Sequence, residues 1–336
     1  MIPTRQRLLA MLADGALHSG ARLAAELGVT RAAIWKHVAE LRALGIEVTS
    51  VARRGYQLPA PIELIDAARI RAMAAAEGWS LPCDPEVQFE IDSTNEFLYA
   101  APPPPPRQPR LVFAELQRAG RGRRGRSWHA PFGSGLTFSI GWTFAEMPAD
   151  LSALSLAMGV QVVSGLRRLG VRQARLKWPN DLVVGQRKLG GLLTQLRSEG
   201  GGPAYVVVGL GLNLDLPQAV RRAIDSPEAA PVCDLREALD GVLPGRNRTA
   251  ASVATAMLDG LASFAAGGFA PFAGEWQALD SLQGAAVRVV QGDSSVEGIA
   301  RGVDPDGALR LERAGRIEKF FSGDVSVRPA HAGCAP

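Results

Sequence analysis

The hydrophobic residues at the start of the chain recur with the period of short helices. Apolar runs predict a first helix containing Leu8–Leu12 and a second from about Ala21 to Leu27. A third helix is expected to begin after Thr30, which is a good N-cap. Its buried stripe follows the spacing i, i+4, i+7 and consists of Ile34, Val38 and Leu41.

The segment after this third helix predicts a wing. Two short strands are expected between residues 46 and 58, around the tip Arg53-Arg54-Gly55. A glycine turn followed by a basic helix is the geometry that lays a helix in the major groove of DNA. The alternative is a helical interaction domain whose basic face is solvated; Arg42 lies on that face as well. We favour DNA binding by Arg31, Lys36, His37, Arg53 and Arg54.

Beyond the linker Pro59-Ala60-Pro61, the pattern mixes helices with strands that follow one another in hairpins. This predicts an α+β region with a mainly antiparallel sheet. Within it, Leu136–Trp142 alternates apolar and small polar residues, which predicts a strand with one wet face. From Gly284 onward, five short strands separated by turns predict a small SH3-like β-barrel. The expected domains are residues 1–60, 61–281 and 282–329.

Length and charge refine this organisation. A chain of 336 residues suggests two or three domains. The net charge is +4, and residues 1–60 alone hold eight Arg/Lys and four Asp/Glu. A basic front end on a balanced body favours nucleic acid as a partner of that end.

The cysteine content and the apolar runs bear on location. The three cysteines are widely spaced and form no CxxC, which favours free thiols in a reducing cytoplasm over disulfides or a zinc site. The chain has no run of about 18 apolar residues, so we expect no membrane span. Met1–Arg7 contains no long apolar stretch, so we expect no secretory signal.

The segment Gln117–Trp128 carries the strongest chemical signal. Within residues 120–126, three glycines alternate with four arginines after a predicted strand. Glycine lets the backbone fold around a ligand, and arginine supplies forked donors for phosphate or carboxylate. A loop of this kind is expected to stay mobile until an anion orders it. An Arg/Gly nucleic-acid segment is the weaker alternative, because this segment lies between two apolar strands rather than in a low-complexity tail.

A second segment places two lysines near strand ends. It reads Lys177-Trp178-Pro179-Asn180-Asp181, followed by Arg187-Lys188-Leu189-Gly190-Gly191. The lysines can aim at one anionic ligand, the carboxylate of Asp181 can hold Mg²⁺, and the paired glycines permit close backbone approach to a ligand.

Two shorter motifs are weaker. Ser93-Thr94-Asn95-Glu96 fits a capping box, and its hydroxyl at a helix start can also bond a ligand. The turn Gly209-Leu210-Gly211-Leu212-Asn213 can accept a phosphate. The absence of Walker A, HExxH and GxSxG sequences excludes P-loop NTPases and gives no support to metallohydrolases or Ser–His hydrolases.

Five motifs follow one another along the chain: Ser-Thr-Asn, the Arg/Gly segment, Lys-Trp-Pro-Asn-Asp, Arg-Lys-Leu-x-Gly and Gly-x-Gly-x-Asn. In this order they resemble the motifs of the biotin–protein ligases. The front-end winged helix and terminal barrel resemble the bifunctional form, which is also the biotin operon repressor. The resemblance implies that biotin reacts with Mg²⁺-ATP to give biotinyl-5'-AMP, and that biotin then passes to a lysine of a biotin carboxyl carrier protein. It also implies a homodimer that binds operator DNA.

The resemblance also implies roles for individual residues. Lys188 and Arg123 are expected to be catalytic, and Asp181 to hold the metal. Biotin is expected to contact Ser93, Thr94, Gln117, Gly120, Arg121, Lys188 and Gly191. The nucleotide is expected to contact Arg121, Arg123, Arg124, Arg126, Trp128, Lys177, Asn180, Asp181 and Asn213. Residues 214–243 contain no aromatic residue to pack on adenine, so we assign none.

Three alternatives remain at this point. The chain could be a monofunctional ligase whose front end has lost operator binding. It could be a transcription factor that senses a small acid without releasing pyrophosphate. It could also be a lipoate ligase, which shares the scaffold, although the Arg/Gly segment argues against that.

Overall fold

A computed structural model describes residues 3–198, 202–224, 231–291, 294–321 and 325–329. Their strands form three separate sheets of two, seven and five strands, in that order along the chain. This agrees with the predicted succession of winged helix, α+β region and terminal β-rich segment.

The first sheet belongs to a helix-turn-helix with a hairpin. Its elements are α1 Thr4–Leu12, α2 Gly20–Leu27, α3 Arg31–Ala43, β1 Thr49–Val51 and β2 Gly55–Gln57. Thr30 caps α3 as predicted, its hydroxyl accepting from the amide of Ala33 at 3.2 Å. Arg42 is exposed, as predicted, and its guanidinium also donates to the carbonyl of Val48 at 2.9 Å, which fastens the segment before the hairpin to α3.

The seven-stranded sheet forms the centre of the molecule. Its strands run in the order β3-β4-β5-β9-β8-β7-β6, and β3 and β4 form its parallel pair, the other pairs being antiparallel. The strands are β3 Pro85–Ile91, β4 Arg110–Gln117, β5 Gly135–Phe144, β6 Ala174–Lys177, β7 Asp181–Val184, β8 Arg187–Ser198 and β9 Ala204–Asn213.

Helices cover this sheet. They are α4 Ala67–Ala76, α5 Thr94–Ala100, α6 Leu154–Arg168, α7 Gln218–Ile224, α8 Leu235–Ala238, α9 Arg246–Gly267 and α10 Ala270–Leu279. α6 and α9 cross closely at Gly165, where an added Cβ would lie 2.9 Å from the Cα of Val253. α9 has the length and hydropathy of a membrane span, but 67% of its apolar window is buried against the protein, as expected of a core helix.

The expectation that β5 has one wet face is wrong. All ten of its residues are buried, because β5 pairs with β4 and β9 and is covered on both faces. Its polar residues are satisfied internally instead. Thr137 donates to the carbonyl of Ala114 at 3.1 Å, and Thr143 donates to that of Pro104 at 2.6 Å. Alternation of apolar and small polar residues here reflects a buried polar network rather than solvent.

The terminal strands form an antiparallel sheet in the order β13-β12-β11-β10-β14. They are β10 Ala286–Gln291, β11 Ser294–Val303, β12 Leu309–Arg313, β13 Arg316–Phe320 and β14 Val325–Pro329. Closure of this sheet into an SH3-like barrel stays a prediction. The indole of Trp178 donates to the carbonyl of Gly307 at 3.0 Å, which joins this sheet to the segment after β6.

Two large apolar clusters underlie this organisation. The α6–α9 core continues into the terminal sheet, whereas the helix-turn-helix has a cluster of its own, against which Phe89 and Phe132 pack. An ionic contact also crosses this junction. Glu90 at the end of β3 accepts from Arg5 of α1 at 3.1 Å and also pairs with Arg118, which follows β4.

Candidate active site

One cavity of about 660 Å³ is lined by residues from all five motifs. Its lining residues come from the central strands β4 to β9 and from the terminal sheet. Most of the residues expected to bind ligand line it: Ser93, Thr94, Gln117, Arg121, Arg123, Arg124, Arg126, Trp128, Lys177, Asn180, Asp181, Lys188 and Gly191.

The Arg/Gly segment forms a small hairpin over this cavity. The amide of Gly122 donates to the carbonyl of Arg126 at 2.6 Å, and that of Trp128 donates to Gly120 at 2.8 Å. At its tip, Arg124 takes a left-handed conformation with φ of 59°. The hairpin presents its guanidinium groups on a backbone held by its own hydrogen bonds; ordering of this loop by an anion stays a prediction.

Trp128 closes the base of the hairpin and packs on β9. A Cβ added to Gly211 would lie 2.6 Å from Cζ2 and 2.7 Å from Cδ2 of the indole, so the ring rests directly on the glycine backbone. The indole Nε1 is buried and has no hydrogen-bond partner among the described residues. The glycine of this turn therefore provides space for an aromatic ring.

Lys188 and Asp181 form an ion pair at the cavity wall. The ammonium lies 2.6 Å from Oδ1 of Asp181, and both side chains are mostly buried. Gly191 leaves room for them, since a Cβ there would lie 3.3 Å from Nζ of Lys188. Space beside Gly190 is occupied by the backbone of Gly211 instead of being open to a ligand, so the predicted close approach applies only to the second glycine.

Arg123 connects the hairpin to the segment after β6. Its guanidinium donates to Oδ1 of Asn180 at 3.4 Å. The amide nitrogen of Asn180 in turn donates to the carbonyl of Leu192 at 2.6 Å, which fixes the orientation of this side chain. The hairpin and the lysine-bearing strands thus line the same cavity and are joined by this hydrogen bond.

The Ser-Thr-Asn segment begins α5, but the predicted capping box is wrong. Ser93 makes no side-chain cap hydrogen bond. The amide and hydroxyl of Thr94 instead donate to Oε1 of Gln117, at 2.8 and 3.0 Å. Glu96 pairs with Arg121 at 2.9 Å and accepts from Gln195 at 3.0 Å, so its carboxylate is not free to reach back to Ser93.

A buried polar network continues beneath Thr94. Its hydroxyl lies 2.7 Å from that of Ser139, which donates to Oδ1 of Asn95 at 2.6 Å. Asn95 donates to the carbonyl of Leu193 at 3.1 Å. The network holds α5 against β5 and β8, and it satisfies Ser139, a polar residue of β5 that was expected to face solvent.

Two residues expected to bind ligand are not among the described residues that line the cavity. Asn213 is only 4% exposed, and its amide donates to the carbonyls of Cys233 at 3.0 Å and Lys188 at 3.5 Å. Gly120 lies at the base of the hairpin, where a Cβ would be 2.5 Å from the carbonyl oxygen of Trp128. Both positions support the site's backbone.

The charge of the cavity is strongly positive. Of the described residues that line it, seven are cationic and one, Asp181, is a carboxylate. The seventh cation, Arg288 of β10, was not predicted from the sequence as a site residue; it pairs with Glu297 at 2.6 Å. The floor is apolar and includes Phe138, Leu193 and Leu210. This combination suits a ligand with an apolar body and several negative charges.

The metal-binding expectation has limited protein support. Within the described ranges, no group of three His, Cys, Asp or Glu residues converges. Asp181 is the carboxylate that the cavity offers. Magnesium commonly binds through one carboxylate together with substrate phosphates and water. The donor set therefore fits an ion carried by a nucleotide.

The basic residues predicted to bind DNA are mostly exposed. Arg31 and Lys36 of α3 are exposed, as are Arg53 and Arg54, and Arg53 turns the hairpin with φ of 62°. His37 is half-buried, with Nδ1 3.0 Å from Oε2 of Glu40. That hydrogen bond holds the pKa of the Glu40 carboxyl below its usual range.

Three family descriptions match successive parts of the chain. Residues 4–57 match the HTH domain, and residues 88–213 match the Biotin/lipoate A/B protein ligase family. Residues 284–328 match the Biotin protein ligase C terminal domain. The match to the ligase family, over residues 88–213, contains all five motifs.

Whole-chain similarity extends these matches. The Escherichia coli K12 "Bifunctional ligase/repressor BirA" is 39% identical over 329 residues, which cover 96% of this chain and 97% of that protein. The Mycobacterium tuberculosis "Biotin--[acetyl-CoA-carboxylase] ligase" is 33% identical over 64% of this chain and 77% of its own length.

A solved structure shows the same fold. The Aquifex aeolicus biotin protein ligase in complex with biotin and ATP is 24% identical, with a TM-score of 0.61, and the match covers 73% of this chain and 99% of that one. The motifs, their convergence and the near-complete match to the Escherichia coli protein lead to one assignment. The chain belongs to the biotin protein ligases and has the organisation of their bifunctional ligase/repressor members.

Proposed function

We propose that this chain activates biotin with ATP and transfers it to a lysine of a biotin carboxyl carrier protein. The observation that carries the proposal is the shared cavity, which Lys188 and Arg123 both line together with apolar residues such as Phe138. The names of its relatives supply the substrates: the Escherichia coli protein is a ligase/repressor, and the Aquifex structure contains biotin and ATP.

The polar end of the cavity suits the ureido ring of biotin. Ser93 offers a hydroxyl that caps no helix amide, and Thr94 and Gln117 lie beside it. A ureido group presents both donors and acceptors, which hydroxyl and amide side chains can match. The fused rings and the acyl chain of biotin would occupy the apolar floor.

The cationic end suits the reacting phosphates. A carboxylate is a poor electrophile, so its oxygen first attacks the α-phosphorus of ATP and expels pyrophosphate. Negative charge grows on the α-phosphate oxygens, where Lys188 and Arg123 can stabilise it in a site shielded from water. A magnesium ion held by Asp181 would supply further neutralisation when bound. Lys177, Arg121, Arg124 and Arg126 add positive charge around the same end.

The second step requires retention of the intermediate. The acceptor amine attacks the acyl carbon of the mixed anhydride, its proton is lost and AMP leaves. Until then, the Arg/Gly hairpin must keep water away from the anhydride. The Arg123–Asn180 hydrogen bond joins the hairpin to the segment after β6, which lines the same cavity.

Mass detection of biotinyl-5'-AMP tests the first step directly. The chain is incubated with ATP, Mg²⁺ and biotin, and Lys188→Met is expected to lower the rate by about 10²–10³-fold, the usual cost of removing one donor from a developing charge. Lys36→Met is the matched control, since Lys36 is exposed on α3 and is not among the residues that line the cavity. Two results would refute the proposed activity. One is that the parent chain forms no biotinyl-5'-AMP, and the other is that it forms lipoyl-5'-AMP from lipoate as fast as biotinyl-5'-AMP from biotin.

Release of the intermediate tests the hairpin. Arg123→Gly removes the contact with Asn180 and loosens the turn, so biotinyl-5'-AMP should escape and label lysines of bystander proteins. Equal retention by Arg123→Gly and the parent chain, measured by filtration, would show that the hairpin does not retain the adenylate.

We infer a second activity, repression of biotin genes, from the front end of the chain. Its exposed arginines and lysine on α3 and the hairpin tip form a surface suited to DNA, and the matching bifunctional relatives are named ligase/repressors. Two copies bound to two half-sites would give a homodimer on a palindromic operator. Salt-dependent duplex binding that strengthens with adenylate supports this; binding unaffected by adenylate contradicts it.

The remaining assignments concern the setting of the reaction. The acceptor is a carboxylase's carrier protein, as the name of the Mycobacterium tuberculosis relative suggests. The cytoplasm is the compartment that fits ATP, operator DNA and free thiols. Cys83 and Cys233 are free, and Cys334 lies outside the described residues.

A further inference from the structure

Trp35 is an unusual feature of the basic surface. It lies in the first half of α3, and 65% of its side chain is exposed, although tryptophan is among the largest apolar residues. It belongs to neither apolar cluster, since the inner stripe of α3 is formed by Ile34, Val38 and Leu41. Nothing in the packing of the helix-turn-helix requires an indole at this position.

The surroundings of Trp35 fit a nucleic-acid groove. Arg31 precedes it by one turn, and Lys36 follows directly; both are exposed. Ala32 and Ala39, three residues before and four after it, are also exposed, so small side chains flank the indole along the helix. A helix is about 10–12 Å wide with its side chains, close to the roughly 12 Å width of the major groove. Small neighbours would let the α3 backbone approach the base edges while the indole projects furthest.

We propose that Trp35 reads a thymine in the major groove of the operator, an assignment that rests on the proposed DNA-binding function. The residues near the start of a recognition helix are those that reach base edges. Thymine is the base that presents a methyl group there, and apolar side chains recognise it by contact. The indole offers one N–H donor and no acceptor, so it disfavours the amino group of cytosine at that position.

The division of labour on this surface follows from charge. Arg31, Lys36, Arg53 and Arg54 contribute affinity through phosphate charge, which every duplex carries. Trp35 carries no charge, so its contribution depends on the base it meets. Loss of a cation should reduce the salt dependence of binding, whereas loss of the indole should leave that dependence unchanged and relax the preference at one position of each half-site.

Selection from a random duplex library tests this inference. The full-length chain, supplied with biotin, ATP and Mg²⁺, selects its preferred duplexes, and the selection is repeated with Trp35→Ala, Trp35→Phe and Lys36→Ala. Trp35→Ala should lose one thymine preference per half-site and bind the parent's best duplex about tenfold more weakly. Trp35→Phe, which keeps an aromatic ring, should retain most of the preference. Lys36→Ala should keep the preference and lower the salt slope by about one.

Replacement of the selected thymine by deoxyuridine removes only the methyl group. The parent chain should bind this duplex several-fold more weakly, whereas Trp35→Ala should bind both duplexes equally. Failure of the parent to select any sequence would contradict the DNA-binding function itself. A parent that selects a sequence, together with a Trp35→Ala variant that has the same preference and the same thymine-to-deoxyuridine ratio, would overturn the role of Trp35 alone. Loss of self-association by Trp35→Ala, with its base preference intact, would overturn that role as well and assign the indole to a protein contact.

Discussion

Asp280 lies at the junction of the central and terminal sheets and carries a buried carboxyl group. It follows α10, and its Oδ1 accepts from the amide of Leu282 at 2.8 Å, while Oδ2 is buried without a hydrogen-bond partner in the described structure. Burial raises the pKa of this carboxyl from 3.8 to about 6, against the smaller opposing effect of the Leu282 hydrogen bond. The carboxyl of Asp280 therefore binds its proton more tightly in the folded state than in the unfolded state.

The pH dependence follows from the sign of this shift. Because the folded pKa is raised, the stabilisation is fully present below about pH 4 and is lost as the pH rises through about 6. A shift of about two units corresponds to roughly 3 kcal/mol. Asp280→Asn cannot ionise and keeps the acceptor for Leu282. The unfolding free energy of Asp280→Asn, relative to that of the parent, should thus increase by up to about 3 kcal/mol between pH 4 and pH 8.

Urea unfolding at a series of pH values, followed by tryptophan fluorescence, measures this difference. Amide exchange at Ser281, which donates to the carbonyl of Leu176 at 2.8 Å, reports on the same junction locally. Asp240→Asn is the control, since Asp240 is exposed in a left-handed turn that asparagine also accepts. A difference between Asp280→Asn and the parent that stays constant with pH would refute the argument.

Two further substitutions test packing and charge. Gly211→Ala places a Cβ against the indole of Trp128, so the ring must shift. Biotin-dependent ATP–pyrophosphate exchange should fall at least tenfold, while the melting temperature changes little. An unchanged exchange rate would argue against this packing. Arg246→Ala leaves Glu115, only 6% exposed, without its ion-pair partner at 2.8 Å. The unfolding free energy should fall by about 3–5 kcal/mol, whereas Arg301→Ala, at an exposed ion pair, should cost less than about 1 kcal/mol. Similar losses for the two variants would contradict the importance of the buried pair.

Much of the fold is encoded in local periodicity. The stripe of α3, its Thr30 cap and the hairpin at Arg53 each depend on a few adjacent residues, so the sequence predicted them. The strand β3, its parallel pairing with β4 and the helix α4 were not predicted, because their stability depends on partners distant in the chain. The burial of β5 was missed for the same reason, since small polar residues are compatible with solvent or with a buried network.

The site shows the same division between local and long-range information. The Arg/Gly segment and the two lysines were recognisable because glycine and arginine combine at fixed spacing. Arg288 carries no such signal, since it is one charged residue in an ordinary strand and reaches the cavity through the packing of the terminal sheet. Asn213 is a different case: its amide donates to two backbone carbonyls, and its contact with the nucleotide stays a prediction.

The contact of Glu90 with Arg5 and Arg118 has a consequence for the whole protein. This carboxylate, whose side chain is 15% exposed, neutralises one guanidinium from the DNA-facing part and one from the stem of the Arg/Gly hairpin. Displacement of either arginine leaves the shared negative charge to the other. Deletion of the first sixty residues would therefore alter the electrostatic balance at the root of the hairpin, although every side chain that lines the cavity would still be present.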